Sequence, residues 1–344
     1  MRQSLLVEPR RLELREVPDL EPAPGELILS VDLALTCGTD LKTYRRGHPK
    51  FPCPTPLGHE FTGTVAAVGA GVTRFRVGDP VLAAPSAPCG ECPACRFGLE
   101  NLCKNIHGRS MAWGAFADQI RVPPHVVRRN VFPRPRSLPL SHCALLEPLS
   151  CVVGGVSRLD LVGRETALVL GAGPIGLLFV ALLAQRGVPQ IVVVGKRKNR
   201  LSAARALGAD EVIDLDEVED PGAAVRDLTS GFGACTVVEC VGRPEAWSQA
   251  MDYARKGGEV LFYGGCAAGT QVPLDTYRMH YDALTLKGAF HFSPSDVRIA
   301  LDLLVSRGLP GIDALITGQL PLERLQDALE ELLAGRAIKL AIAP

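Results

Sequence analysis

A doubly wound parallel α/β sheet joined to a mostly β domain is the architecture this sequence predicts, on three observations. From Cys151 to about Lys287, short apolar runs alternate with helix-length segments. Before residue 148 the chain is instead rich in Pro and Gly, with short alternating runs and few helical stretches. Within the alternating region stands a glycine signature, G-x-G-x-x-G, at Gly171, Gly173 and Gly176, flanked by a strand-like run and a helix-like one. At 344 residues the chain has room for about two domains with substantial cores.

In the first half, residues 26–33 (ELILSVDL) alternate like a half-buried strand, and residues 61–68 and 79–83 repeat the pattern between glycines and prolines. Long loops between such strands are where function concentrates. In the second half, residues 166–170 read as a buried strand and residues 177–186 as a helix ended by Gly187 and Pro189. Residues 191–194 complete a β-α-β unit. Further helices are expected at 201–207 and 245–256, and further strands at 211–215, 235–240, 259–263 and 283–287. Two amphipathic helices, 295–307 and 321–333, precede a final strand at 337–342.

The glycine signature in a strand–turn–helix context is a dinucleotide site. Its glycines give a tight turn, close backbone approach to a pyrophosphate, and close helix–strand packing. The helix beginning around Pro174 and Ile175 offers unpaired N–H groups to the phosphates. At the end of the second strand, where an NAD site usually places Asp or Glu, the chain has Gly195, Lys196, Arg197, Lys198 and Arg200. Losing the carboxylate removes repulsion toward a 2′-phosphate, and Arg197 offers a planar fork to its oxygens. NADP(H) is therefore expected over NAD(H); a solvated basic turn is the bland alternative. The strand ends at Cys240-Val241-Gly242, Tyr263-Gly264-Gly265 and Gly288-Ala289-Phe290 are expected near the nicotinamide, ordinary turns being the alternative.

Charge balance, 37 basic against 37 acidic side chains, argues against a nucleic-acid partner. No apolar run approaches the roughly 20 residues of a membrane span, and the first residues are unlike a signal peptide. A cytoplasmic location is the default expectation. Eleven cysteines in such a setting read as metal ligands before disulfides. Cys89, Cys92, Cys95 and Cys103 form C-x2-C-x2-C-x7-C in a Pro/Gly-rich loop, a closed thiolate set suited to structural zinc. An iron–sulfur cluster can use similar spacing. A second set is dispersed: Cys37-Gly38-Thr39-Asp40, Gly58-His59-Glu60 and Glu147-Pro148. Thiolate, imidazole and carboxylate suit a zinc ion with an exchangeable position, although spacing alone does not separate them from core residues. The remaining cysteines read as small buried hydrophobes. His48 and His107 are weighed as pocket-lining residues, with surface or packing roles preferred.

Taken in order, CGTD, GHE, the four-cysteine lobe, EPLS, GAGPIG and the terminal GRAIK resemble the zinc-dependent medium-chain alcohol/polyol dehydrogenases, in the sorbitol and threonine dehydrogenase branch. The resemblance covers essentially the whole chain. It implies a GroES-like catalytic domain at 1–148 and 288–344 and a Rossmann domain at 149–287. It implies catalytic zinc at Cys37 and His59, with Glu60 and Glu147 as acidic partners that bind the metal or hold its water. Asp40 would orient the zinc-bound imidazole, and Thr39 would pass the substrate proton outward. Lys42 stands where relatives often have a relay histidine, a departure that puts the outer relay in doubt. Lys339 corresponds to a cation near the pyrophosphate, a surface lysine being the alternative. Relatives form dimers or tetramers, so a homotetramer or homodimer is expected. The implied reaction is reversible oxidation of a secondary alcohol, with a polyol, sugar, cyclitol or amino alcohol favoured as small-molecule substrate. A zinc-free quinone or enone reductase, and a non-catalytic NADP(H)-binding protein, are the rivals.

Overall fold

The computed structural model describes the whole chain except residues 50, 107–109, 162 and 164, and of residue 307 the backbone only. His107 thus lies outside the described residues. The chain divides into two compact units: Met1–Cys151 with His291–Gly308 and Ile316–Pro344, and Val152–Phe290 with Leu309–Leu315.

The first unit is built on a seven-stranded sheet. Ile316–Pro321, Lys339–Ala343, Leu27–Leu35, Glu60–Val68, Pro80–Ala83 and Val131–Pro133 follow one another in space, and Gln119–Val122 also pairs with Leu27–Leu35. Only the first pair is parallel. A three-stranded sheet, Arg11–Glu16, Arg2–Glu8 and Thr55–Pro56, accompanies it. Leu27–Leu35 alternates in sequence but is buried at seven of its nine positions. The reason is that the short helix Leu140–Ala144 packs against this strand and against Glu60–Val68, so its second face is covered as well. Leu6, Leu29, Phe61, Val81, Phe116, Ile120 and Leu329 share the core beneath it. The helix Leu325–Ala334 buries Leu325, Ala328, Leu329 and Leu332, the i, i+3, i+4, i+7 stripe, and ends at Gly335 in the left-handed region (φ 73°). Its first turn, Leu322–Arg324, is a separate 3-10 turn, so the expected 321–333 helix is two pieces.

The second unit carries a six-stranded all-parallel sheet. Its order is Glu211–Asp214, Gln190–Gly195, Thr166–Leu170, Ala234–Glu239, Ala254–Phe262 and Thr285–Gly288. In chain order this is 3-2-1-4-5-6, the doubly wound dinucleotide arrangement, which reverses direction between the first and fourth strands. Two boundaries differ from the sequence expectation. The glycine-motif helix spans Pro174–Gln185, starting earlier than residue 177, because Pro174 takes the first helical position and Gly173 the N-cap. The helix expected to 256 ends at Tyr253, since Ala254 already pairs with Ala234 in the sheet. In the first unit, likewise, the helix expected at 295–307 is α-helical only over Pro294–Asp302 and then winds as a π-turn over Leu303–Arg307.

Candidate active site

Antiparallel register brings the dispersed set together. Leu35 pairs with Glu60 and Ala34 with Phe61, so the chain leaving one strand at Cys37 meets the chain entering the other at His59. Cys37 caps the helix Gly38–Arg46, which the sequence did not advertise: its segment is polar, and only Asp40, Thr43 and Tyr44 are buried. Asp40, fully buried, ties the two segments. Its Oδ2 accepts the Cys37 N–H at 3.0 Å and its Oδ1 the Gly58 N–H at 3.1 Å.

Ligand atoms of Cys37, His59 and Glu60 lie within 4.8 Å of one another. Donors of a tetrahedral zinc with the usual arm lengths sit about 3.3–3.8 Å apart, so small side-chain shifts would serve. Sulfur, nitrogen and oxygen donors also match the ion's preferences. Glu147, at the start of the helix Leu146–Val156, is not part of that trio. It is close enough for the charges of His59, Glu60 and Lys339 to act on it, and burial pushes its carboxyl up to about 7. The Cys151 thiol, one turn on, donates to Glu147 Oε1 at 3.6 Å. Burial also pushes the Cys37 thiol up. For His59, burial opposes the imidazolium, but Cys37 and Asp40 outweigh it and raise the group well above its ordinary value. Thr39 and Lys42 are exposed one turn apart on the same helix.

Lys339 requires a correction. Rather than facing a pyrophosphate, it is 1 % exposed, with its Nζ donating to the Thr36 carbonyl at 2.7 Å and paired with Glu60. Burial works against the ammonium, yet Glu60 and Cys37 outweigh it, so its pKa is raised and the charge is kept. The strand Lys339–Ala343 pairs with Leu27–Leu35 at Ala341 and Leu35, which sets its first residue beside Thr36. Removing one member of a buried pair leaves an uncompensated charge, at a cost of about 3–5 kcal/mol. Lys339→Met should therefore destabilise the fold by that amount in denaturant titration, and adding Glu60→Gln should recover most of it. A single variant as stable as the wild type would show that the pair is not holding Glu60.

The four cysteines of the lobe lie together. Sγ–Sγ distances are 3.5 Å for Cys92–Cys95, 3.9 Å for Cys92–Cys103 and 3.5 Å for Cys89–Cys103. A tetrahedron with 2.3 Å zinc–sulfur arms has edges of about 3.8 Å, whereas a disulfide needs about 2.05 Å. Backbone N–H groups of Cys95 and Lys104 pull the Cys92 thiol down to about 6, favouring thiolate. Among the described residues, Ile106 is the one buried apolar side chain of this cluster beyond the cysteines, so the lobe has little core of its own. Cys92→Ser should leave the sheet intact but loosen residues 89–106, read as a loss of hydrogen-exchange protection confined to them.

In the second unit two glycines of the motif, Gly171 and Gly176, have a steric reason, and Gly173 leaves space open. Gly171 takes φ 109°, and a Cβ there would strike Val241 Cγ2 at 2.8 Å. A Cβ on Gly176 would meet the Gly171 carbonyl oxygen at 1.9 Å. At Gly173 a Cβ would project into open space at the N-cap, the opening through which a pyrophosphate can approach the backbone. At Gly195 a Cβ would come 2.9 Å from Ala172 Cβ, so a larger residue there would require a local shift. Of the basic residues after it, Lys196 pairs with Asp216 at 2.7 Å and Lys198 with Glu217 at 3.0 Å. Arg197 is exposed, with φ 78°. Arg200 has a buried Nε without a hydrogen-bond partner, and burial together with the Arg197 charge pushes its pKa down. Two guanidinium groups thus repel each other beside the strand end.

The turns expected at the nicotinamide interlock. A Cβ on Gly264 would lie 2.3 Å from the Gly242 nitrogen and one on Gly242 would lie 2.7 Å from the Gly265 oxygen. Val241 and Phe290 are 40 % and 51 % exposed, open to a ligand, and Cys240 is partly so. Tyr263 differs: its ring packs edge-on against Phe179 at 5.0 Å, so what it offers a cofactor is backbone. Sequence reasoning missed Glu239, fully buried at the end of its strand, whose Oε1 accepts the Val241 and Gly242 N–H groups at 2.6 and 2.8 Å. A lone acid inside the apolar run TVVEC was the available signal.

These features define a two-unit, nicotinamide-type dehydrogenase with a metal site, and comparison with known proteins agrees. Residues 23–133 match the alcohol dehydrogenase GroES-like domain and residues 174–306 the zinc-binding dehydrogenase family. An L-threonine 3-dehydrogenase of Caldanaerobacter subterraneus is 32 % identical over 96 % of this chain and 94 % of its own. The sorbitol dehydrogenase of Bacillus subtilis is 30 % identical over 100 % and 97 %. Among solved structures, a Sinorhizobium meliloti protein assigned to the zinc-binding dehydrogenases and bound to NADP superposes with a TM-score of 0.89. It shares 28 % identity, with 100 % of this chain and 99 % of that one covered. The chain belongs to the zinc-dependent medium-chain alcohol/polyol dehydrogenases and is an oxidoreductase acting on a small-molecule alcohol. None of the helices in the described residues is long and apolar enough to cross a membrane.

Proposed function

We propose that the chain reversibly oxidises a secondary alcohol bearing neighbouring polar groups, a polyol, sugar, cyclitol or amino alcohol, with NADP(H) preferred over NAD(H). The observation that carries this reading is the convergence of Cys37, His59 and Glu60 ligand atoms within 4.8 Å. Cys37 and His59 hold the catalytic zinc, with Glu60 and Glu147 as acidic partners, and the four-cysteine lobe holds a second, structural ion. When bound, the ion lends Lewis acidity to the substrate hydroxyl and the nicotinamide accepts the hydride. The reaction removes a proton from the hydroxyl and a hydride from its carbon, leaving a carbonyl. Thr39 takes the proton, and its exposure with that of Lys42 supports a route to solvent along their helix. Asp40 holds the two ligand segments at fixed separation through the Cys37 and Gly58 amides. Gly173 and the following helix N-terminus receive the pyrophosphate, and Arg197 with Arg200 the 2′-phosphate. Carboxylates around the ion and the threonine and sorbitol dehydrogenase relatives support the substrate class. A cytoplasmic homotetramer or homodimer completes the proposal.

Screening polyols, sugars, cyclitols and amino alcohols for reduction of each cofactor, with metal analysis of the same preparation, tests it. Two zinc ions per chain and turnover of one of these alcohols are expected. One ion per chain with quinone or enone reduction would favour the zinc-free rival.

A further inference from the structure

We propose that Trp113 is a positioning residue for the metal site, fixing the plane of the His59 imidazole as the middle ring of a Phe51–Trp113–His59 stack. The inference rests on the metal reading above. The indole lies parallel to Phe51 (4.3 Å between centroids, 4°) and to His59 (5.2 Å, 8°). Its Nε1 donates to the Pro56 carbonyl at 2.6 Å, so it cannot turn in its slot without losing that bond. His48 closes the far end, its ring 5.1 Å from Phe51.

Stacking matters here because the carboxylate contact to this imidazole is long, at 3.5 Å. A ligating histidine is usually held by a carboxylate on its other ring nitrogen. His59 Nδ1 stands 3.5 Å from Asp40 Oδ1 and is buried without a hydrogen-bond partner. Asp40 is already engaged with the Cys37 and Gly58 amides. The flat contact with Trp113 adds to that long contact, restricting rotation of the ring while it faces Cys37 and Glu60. It also links metal retention to two loops, around Phe51 and around Trp113, that supply no ligand.

Two measurements test this. The chain has two tryptophans, so in a Trp247→Phe protein Trp113 is the sole indole. Replacing zinc by Co(II) should quench its emission strongly, and Cys37→Ser should remove that quenching. Second, Trp113→Ala should release one of the two zinc ions to a chelator about tenfold faster or more, while the tetrathiolate ion leaves at its original rate. Trp113→Phe, which keeps a flat ring, should restore release to within about threefold. The alanine variant should also lower kcat more than it raises the substrate KM. Release of both ions from Trp113→Ala at wild-type rates would overturn the inference, as would unquenched emission with Co(II) bound at Cys37 and His59. If the unaltered protein holds only the tetrathiolate ion, the metal reading itself fails and this inference falls with it, a result the metal count distinguishes.

Discussion

Replacing Cys37 by Ser should cut kcat by about 10³-fold or more while leaving NADPH binding intact. Lewis-acid stabilisation of developing charge is worth several kcal/mol, and each 1.36 kcal/mol is a factor of ten. The thiolate is the soft donor of the Cys37–His59–Glu60 trio, and no other cysteine belongs to it. Cys37 belongs to the first unit, whereas the glycine motif and the basic turn belong to the second, so cofactor affinity should be unaffected. Turnover, zinc content and fluorescence titration with NADPH, all on one preparation, check this. Unchanged turnover would make the trio irrelevant to the reaction and revive a non-catalytic role.

The second large effect is expected at the cofactor turn. Arg197→Gln with Arg200→Gln should lower kcat/KM for NADP(H) by about 10²–10⁴-fold and leave NAD(H) nearly unchanged. Hydrogen bonds to charged groups contribute about 1.5–3 kcal/mol each, and two are removed. The sign follows from the ligand: NAD lacks the 2′-phosphate, so it has nothing to lose. Lys196 and Lys198 already pair with Asp216 and Glu217, and for that reason they are not the residues chosen. A wild type that favours NAD, or a double variant with equal losses on both cofactors, would remove the assignment.

How much could be read beforehand depended on whether each feature is local. The glycine motif was legible because its constraints act over six residues: a Cβ at Gly176 collides with Gly171. The four-cysteine lobe was legible for the same reason, its ligands spanning Cys89 to Cys103. Cys37 and His59 flank the ends of different strands, and only register joins them, so their spacing carried little and the ordered set of motifs carried more. The Lys339–Glu60 pair, 279 residues apart, left no local trace, and an exposed or phosphate-facing lysine was the natural reading. Trp113 sits in a short loop whose letters give no hint of a ring stack. Helix ends shifted where proline or sheet pairing overrode periodicity, at Pro174 and Ala254.

The bond from Lys339 to the Thr36 carbonyl spans 303 residues, and residues 152–290 fall inside that interval. Closing so long a loop from a disordered chain is entropically costly, and collapse of the inserted unit shortens it. The order of assembly is thereby constrained: the nucleotide half can form from nearby segments, whereas the other half waits for its closing strand. Until that strand arrives, Glu60 lacks the ammonium that pairs with it, so the acid-bearing pocket is completed by the chain's end.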